Sequence, residues 1–307
     1  MEILVTIKEL GINDIYAISA GIVMGTLARL ITLKVDLRQI PSYPSAYFNN
    51  IILGLIASSL GAIAIPAILT KDFTAVTFLA LAATQFREVR TAERESLEQL
   101  EHTEFVQRGE AYIDGISKTF ESRNYISLVT AVCTVLVIYI INCPDILLNM
   151  IFGVGAGLLV MFLCYRFTKG RNIGEICTIN IGQVEVKGSE LYVDGIFVTN
   201  HLGTDVSREL FTSEGLALVL EAPDTMSSVV LLNSGQSQAI LFEAVRALGV
   251  KRYRFIERNL LTGKVIIAFV PIINDPDRAV KAAYNTPVLE NSRKIKRIMK
   301  TSFGGKE

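Results

Sequence analysis

Tryptophan is absent from this 307-residue chain, and histidine occurs only at His102 and His201. Two imidazoles leave almost nothing for a Ser-His-Asp triad, an HExxH zinc site or a histidine-rich metal cluster, so both read as surface residues and no metal centre is expected. Cysteine is scarce and scattered, at Cys133, Cys143, Cys164 and Cys177, with no CxxC pair, which excludes a disulfide framework or a zinc ribbon. An excess of one charge sign is missing too: Lys and Arg number 30 and so do Asp and Glu, a balance that argues for neither nucleic acid nor an acidic partner, and no nucleic-acid partner is expected. Residues 1–15 carry Lys8, Glu9 and Asp14 without a basic leader and a small-residue cleavage site, so no processing is expected.

What the chain does have is apolar length. Half its residues are hydrophobic and the mean hydropathy is +0.42, too apolar for an ordinary soluble domain. Residues 16–33, 47–69, 73–86, 125–141 and 146–167 form apolar stretches, and we expect five membrane spans. The third, about 14 residues, falls short of the roughly 17–25 that a full crossing needs. Gly21 and Gly25, Gly54, Ser58 and Gly61, and Gly153 and Gly157 form small-residue faces suited to close helix packing. Arg29, near the end of its stretch, is expected to snorkel to the interface, leaving no buried charge in any span and arguing against a proton relay or ion pathway. Basic residues cluster after the first, third and fifth stretches, which orients the N-terminus outward and the C-terminal region toward the cytosol.

Between the third and fourth stretches the chain becomes strongly charged, with Arg87, Glu88, Arg90, Glu93, Arg94, Glu95 and Glu98 in close succession. Residues 110–124 then combine two helical stripes: Tyr112, Ile116 and Phe120 on an apolar one, Glu110, Asp114 and Lys118 on a polar one. The apolar stripe is expected to pack and Asp114 to pair with Lys118.

After residue 170 the period changes. Strands are expected at 176–181, 184–187, 191–199, 216–220, 229–232 and 265–270, and helices at 237–248 and 276–284. The fold class is therefore a polytopic α-helical membrane bundle followed by a soluble α+β domain. Its expected segments are 1–86 (spans), 87–124 (charged helical loop), 125–169 (spans), 170–290 (soluble domain) and 291–307 (basic tail).

Chemistry-bearing patterns are few. Ser234, Gly235 and Gln236 sit in a turn entering a helix, where free backbone N–H groups can hold an anion, but no GxxxxGK[ST] pattern is present. Asn233 stands where an aspartic peptidase would have its acid, and a neutral amide cannot share a proton with a second carboxylate. Asp194 and Asp205 are the remaining carboxylate candidates for catalysis; Asp194-Gly195 also reads as a turn and Asp205 as a helix cap or first-turn acid.

Tyr112-Ile-Asp-Gly-Ile-Ser117 resembles the signature hexapeptide of the YIEGIA family, membrane proteins of endospore-forming Firmicutes named for Tyr-Ile-Glu-Gly-Ile-Ala. Further stretches are similar to the family's: Arg38-Gln-Ile-Pro-Ser-Tyr-Pro44, Gly61-Ala-Ile-Ala-Ile-Pro-Ala67, Asp72-Phe-Thr-Ala-Val-Thr-Phe78, Glu121-Ser-Arg-Asn124 and Ser234-Gly-Gln-Ser-Gln-Ala-Ile240. Asp114 and Ser117 depart from the signature, Asp114 keeping the charge on a shorter arm. The resemblance implies a sporulation-associated membrane protein without an established reaction or cofactor. The layout is also similar to that of the membrane-tethered aspartic protease that processes a sporulation sigma factor. We therefore expect a regulator that binds a partner protein through its cytosolic domain, with a membrane-tethered peptidase as the alternative. The expected partners are the lipid bilayer and a cytosolic or membrane protein, and a second copy of the chain is a further candidate.

Overall fold

The computed structural model describes residues 12–36, 44–168 and 170–293. The chain forms two compact units, one of residues up to Glu93 with Ser117–Lys169, the other of Arg94–Ile116 with the chain from Gly170 onward. Of the charged segment 87–124, 23 residues, Arg94–Ile116, belong to the unit that holds the C-terminal domain. The basic tail beyond Arg293 and the Arg38–Tyr43 part of the proline loop lie outside the described residues.

The helical unit is built from α1 (Ile12–Asp36), α2 (Pro44–Leu69), the first part of α3 (Phe73–Glu101), most of α4 (Glu110–Ile141) and α5 (Ile146–Thr168). Among the described residues, four segments are long and apolar enough to cross a bilayer: Asp14–Thr32, Phe48–Leu69, Glu110–Ile141 and Ile146–Thr168. Residues 73–86 are not among them; they are the opening turns of α3, which runs on without a break into its charged half. Tight turns separate α2 from α3 and α4 from α5, with Lys71 (φ 57°) and Asn142 (φ 41°) in the left-handed region. Asp72 then accepts from the Ala75 amide at 3.0 Å, capping α3.

Small residues let these helices approach closely, as their spacing predicts. A Cβ at Gly25 would lie 2.5 Å from Ser58 Cβ and 2.7 Å from the Ser127 carbonyl, and one at Gly61 would meet the Leu128 carbonyl. Gly153 and Gly157 face Ile138 and Thr134 of α4. The Ser127 hydroxyl spans the Gly25 and Gly54 carbonyls at 2.8 and 3.0 Å, so α4 is tied to both α1 and α2. The exposed Leu, Ile and Phe side chains of α5, such as Leu159 and Phe162, form the apolar exterior that lipid requires.

The α+β unit contains a short 3-10 turn (Ile173–Glu175), β1 (Thr178–Gly182), β2 (Val184–Lys187), β3 (Glu190–Val193), β4 (Ile196–Thr199), α6 (Asp205–Glu214), β5 (Leu216–Glu221), α7 (Thr225–Leu231), α8 (Ser234–Leu248), β6 (Arg254–Asn259), β7 (Lys264–Phe269) and α9 (Pro276–Tyr284). One antiparallel sheet has the order β1-β5-β7-β6, a second the order β2-β3-β4. Leu218 pairs with Ile267 at the centre of the larger sheet. Both faces of β5 and β7 are covered, which is why they read as unbroken apolar runs rather than as alternation. Ala217, Val219, Ile266 and Ala268 pack with Leu191, Val193 and Phe211, while helices α8 and α9 touch the strands of the same sheet.

The local rules hold at α9, where Asp275 accepts from the Arg278 amide at 3.0 Å and Pro276 takes the first position. They fail at residues 229–232. Val229-Val-Leu-Leu232 is not a strand but the end of α7, started by the Asp224 cap, which accepts from Ser227 at 3.2 Å. A four-residue apolar run has no period of its own, and here the cap decides. The expected strand at 191–199 is two strands folded at Asp194-Gly195, and β6, with Arg254, Glu257 and Arg258, is a charged edge strand the apolar pattern did not mark.

Candidate functional site

The signature helix starts inside the α+β unit. Gly109 precedes it with φ 87°, a left-handed geometry that glycine adopts without strain, and its carbonyl accepts from Tyr112 and Ile113. Glu101, at the end of α3, receives the Arg108 amide at 2.7 Å and the Gly109 amide at 3.1 Å, so one carboxylate holds the whole corner.

From this corner Tyr112 reaches α8. Its ring meets Phe242 edge-on at 6.2 Å, and its hydroxyl donates to Glu243 Oε1 at 2.5 Å. Arg246 donates to the other oxygen of Glu243 at 2.5 Å. A buried carboxylate is costly unless its lone pairs are met, and Glu243 has a phenol on one oxygen and a guanidinium on the other. Arg108 lies over the Phe242 ring at 4.9 Å while bonding Glu104 at 3.1 Å. Gln238 donates to the Gln107 carbonyl at 2.6 Å. Beside this junction opens a groove of about 470 Å3, with Phe105, Val106, Phe242, Val245 and Val250 on its walls and Arg108, Arg246 and Lys251 among its polar lining.

Tyr112, Ile116 and Phe120, the stripe expected to pack, are all buried, and so is Ile113. Gly115 approaches Leu289, whereas Ser117 begins the part of α4 that belongs to the helical unit. Asp114 acts electrostatically on Arg94, whose guanidinium is held protonated chiefly by its bond to Glu98.

The other sequence candidates occupy local roles. Ser234, Gly235 and Gln236 do begin α8, but Asn233 caps it by accepting from the Gln236 amide at 3.2 Å, and a Cβ at Gly235 would lie 2.8 Å from Ala111. The Gln236 side chain is fully buried, donating to the Pro287 carbonyl and accepting from the Leu289 amide and the Ser292 hydroxyl. Asp194 (φ 50°) and Gly195 (φ 76°) make a hairpin turn, with Asp194 Oδ1 accepting from the Gln183 amide at 2.7 Å. Asp205 opens α6 after the Thr204 cap, its side chain 99% exposed and 3.0 Å from Arg208.

The helical unit holds a second polar centre that sequence reasoning misplaced. Arg29 does not snorkel: it is 0% exposed, lies across Gly54 and donates to Asn50 Oδ1 at 2.6 Å, with the Phe120 ring 5.9 Å away. Gly54 makes the room, since a Cβ there would stand 2.6 Å from Arg29 Cγ. Arg123, also buried, feels the Arg29 charge. Burial pushes the Glu93 carboxyl above its ordinary range, and Arg29 partly offsets this. Asn124 is buried with neither amide atom hydrogen-bonded among the described residues. Glu243 and Arg246 escaped the sequence reading. The available signal was a charged residue inside an apolar helical run, as in Ala239-Ile-Leu-Phe-Glu243-Ala-Val.

The comparisons with known proteins agree over most of the chain. A family described as YIEGIA protein matches residues 17–298. A Bacillus subtilis (strain 168) protein, printed as "Uncharacterized protein YphB", is 39% identical over 285 residues, covering 91% of this chain and 93% of its own. No solved structure matches significantly.

Proposed function

The chain belongs to the YIEGIA family, and from that premise we propose that it is an integral membrane regulator of sporulating bacteria whose α+β unit binds a partner protein on the cytosolic side. The carrying observation is the Tyr112–Glu243–Arg246 junction, which builds the signature segment into the same unit as the C-terminal domain. Just two apolar crossings, 125–141 and 146–167, separate these parts in sequence. An even number of crossings returns the chain to the same face, so Arg94–Ile116 and the domain share a side whether or not 73–86 spans. We propose that it does span, because five crossings put all three basic clusters on one face.

Partner binding at the groove beside Phe242 would act on α4, and α4 continues as one helix into the apolar segment. The local employment of Asp194 and Asp205 supports this reading over a peptidase working through them. Complementation of a deletion strain, scored as spore yield, tests it. Glu243→Gln is expected to fail like the deletion, whereas Asp194→Asn and Asp205→Asn restore yield. Full rescue by Glu243→Gln with loss in either aspartate variant would reverse the choice.

A further inference from the structure

The β6–β7 hairpin ends in Leu260 and Leu261, 79% and 98% exposed, at the tip of an ordered turn. Asn259 pairs with Lys264 across the base, and its side-chain oxygen accepts from the Leu261 and Thr262 amides at 3.0 and 3.1 Å. Gly263 closes the turn at φ 70°, its amide donating to the Asn259 carbonyl at 2.9 Å. The two leucines are therefore held outward by a fixed backbone, which lowers the entropy lost when they are buried. The turn is flanked by cations, Arg258 before it and Lys264 after it, while Lys251, Arg252 and Arg254 lie at the far end of the hairpin ladder, and the single acid within 251–264 is Glu257. Arg258, next to the turn, is exposed, and Lys264 is bonded to Glu221 at 3.1 Å.

We propose that this hairpin inserts Leu260 and Leu261 into an anionic bilayer, with the basic flank, Arg258 foremost, on the headgroups. Aliphatic side chains flanked by an exposed cation match a lipid interface, where acyl chains lie beneath negative charge. Two leucines hold a free protein to a membrane only weakly. Among the described residues this chain carries four segments fit to cross one, and tethering makes the contact an intramolecular event. The inference rests on the reading that these helices span.

The absence of tryptophan supplies the test. Full-length Leu261→Trp protein, carrying one indole, is reconstituted into vesicles of phosphatidylcholine and phosphatidylglycerol in about equal parts, with and without bromine on the acyl chains. Bromolipid is expected to quench the Trp emission, because an indole seated among the acyl chains lies within contact of the bromine atoms. Adding Arg258→Glu, or using phosphatidylcholine alone, is expected to reduce the quenching. Phe162→Trp on the exterior of α5 is the control for spanning. If Phe162→Trp is quenched and Leu261→Trp is not, the hairpin contact is wrong while the spanning reading stands. If neither is quenched, both fall.

Discussion

At Tyr112 a single hydroxyl supplies one of the two partners that meet the buried Glu243 carboxylate. Tyr112→Phe keeps the ring against Phe242 and leaves Arg246 alone to meet the carboxylate. We expect a loss of about 1.5–3 kcal/mol, the range for a hydrogen bond to a charged group, read as a lower unfolding midpoint in detergent. An unchanged midpoint would mean that Arg246 suffices. Cys177 tests burial differently. Its thiol is pushed up from 9.0 to about 12 by desolvation, and its Sγ donates to the Ile173 carbonyl at 3.4 Å. Between these two values the folded state keeps a proton that the unfolded chain has lost, so this group's contribution to stability is intact below pH 9.0 and declines as pH rises toward 12. Native protein should leave Cys177 unalkylated at neutral pH while unfolded chain reacts, and peptide mass spectrometry would expose the opposite.

On the scale of elements, α4 is the one to watch, a single helix from Glu110 to Ile141 whose first seven residues, Glu110–Ile116, belong to the α+β unit and the remainder to the helical unit. Its continuity at Ser117 can be broken without touching Tyr112. Ser117→Pro removes an amide needed by the helix and clashes with the preceding turn, at a cost of about 3 kcal/mol. It is expected to abolish complementation. Ser117→Ala, which restores the alanine of the family hexapeptide, is expected to retain it. Equal rescue by both would show that the helix need not be unbroken there.

For the whole molecule, the open question is whether 73–86 crosses. With five spans the two termini lie on opposite faces, and with four on the same one. We expect opposite faces, the C-terminal reporter and one inserted near Thr103 reading cytosolic and an N-terminal reporter reading external. Topology reporters on both faces of the membrane would measure this directly, and an N-terminal reporter in the cytosol would reduce the count to four.

By itself the sequence determined the apolar helices, the helix at 276–284 and the family. Each of these follows from hydrophobic length, from short-range hydrogen bonding or from a contiguous motif, all written within a few residues of one another. Only the tertiary structure decided that Glu243, 131 residues from Tyr112, receives its phenol, that Arg29 is buried over Gly54 instead of reaching the interface, and that Val229-Val-Leu-Leu232 ends a helix. In each case the favoured state depends on which distant group meets a polar atom or covers an apolar one, and the energy of that meeting exceeds any local preference.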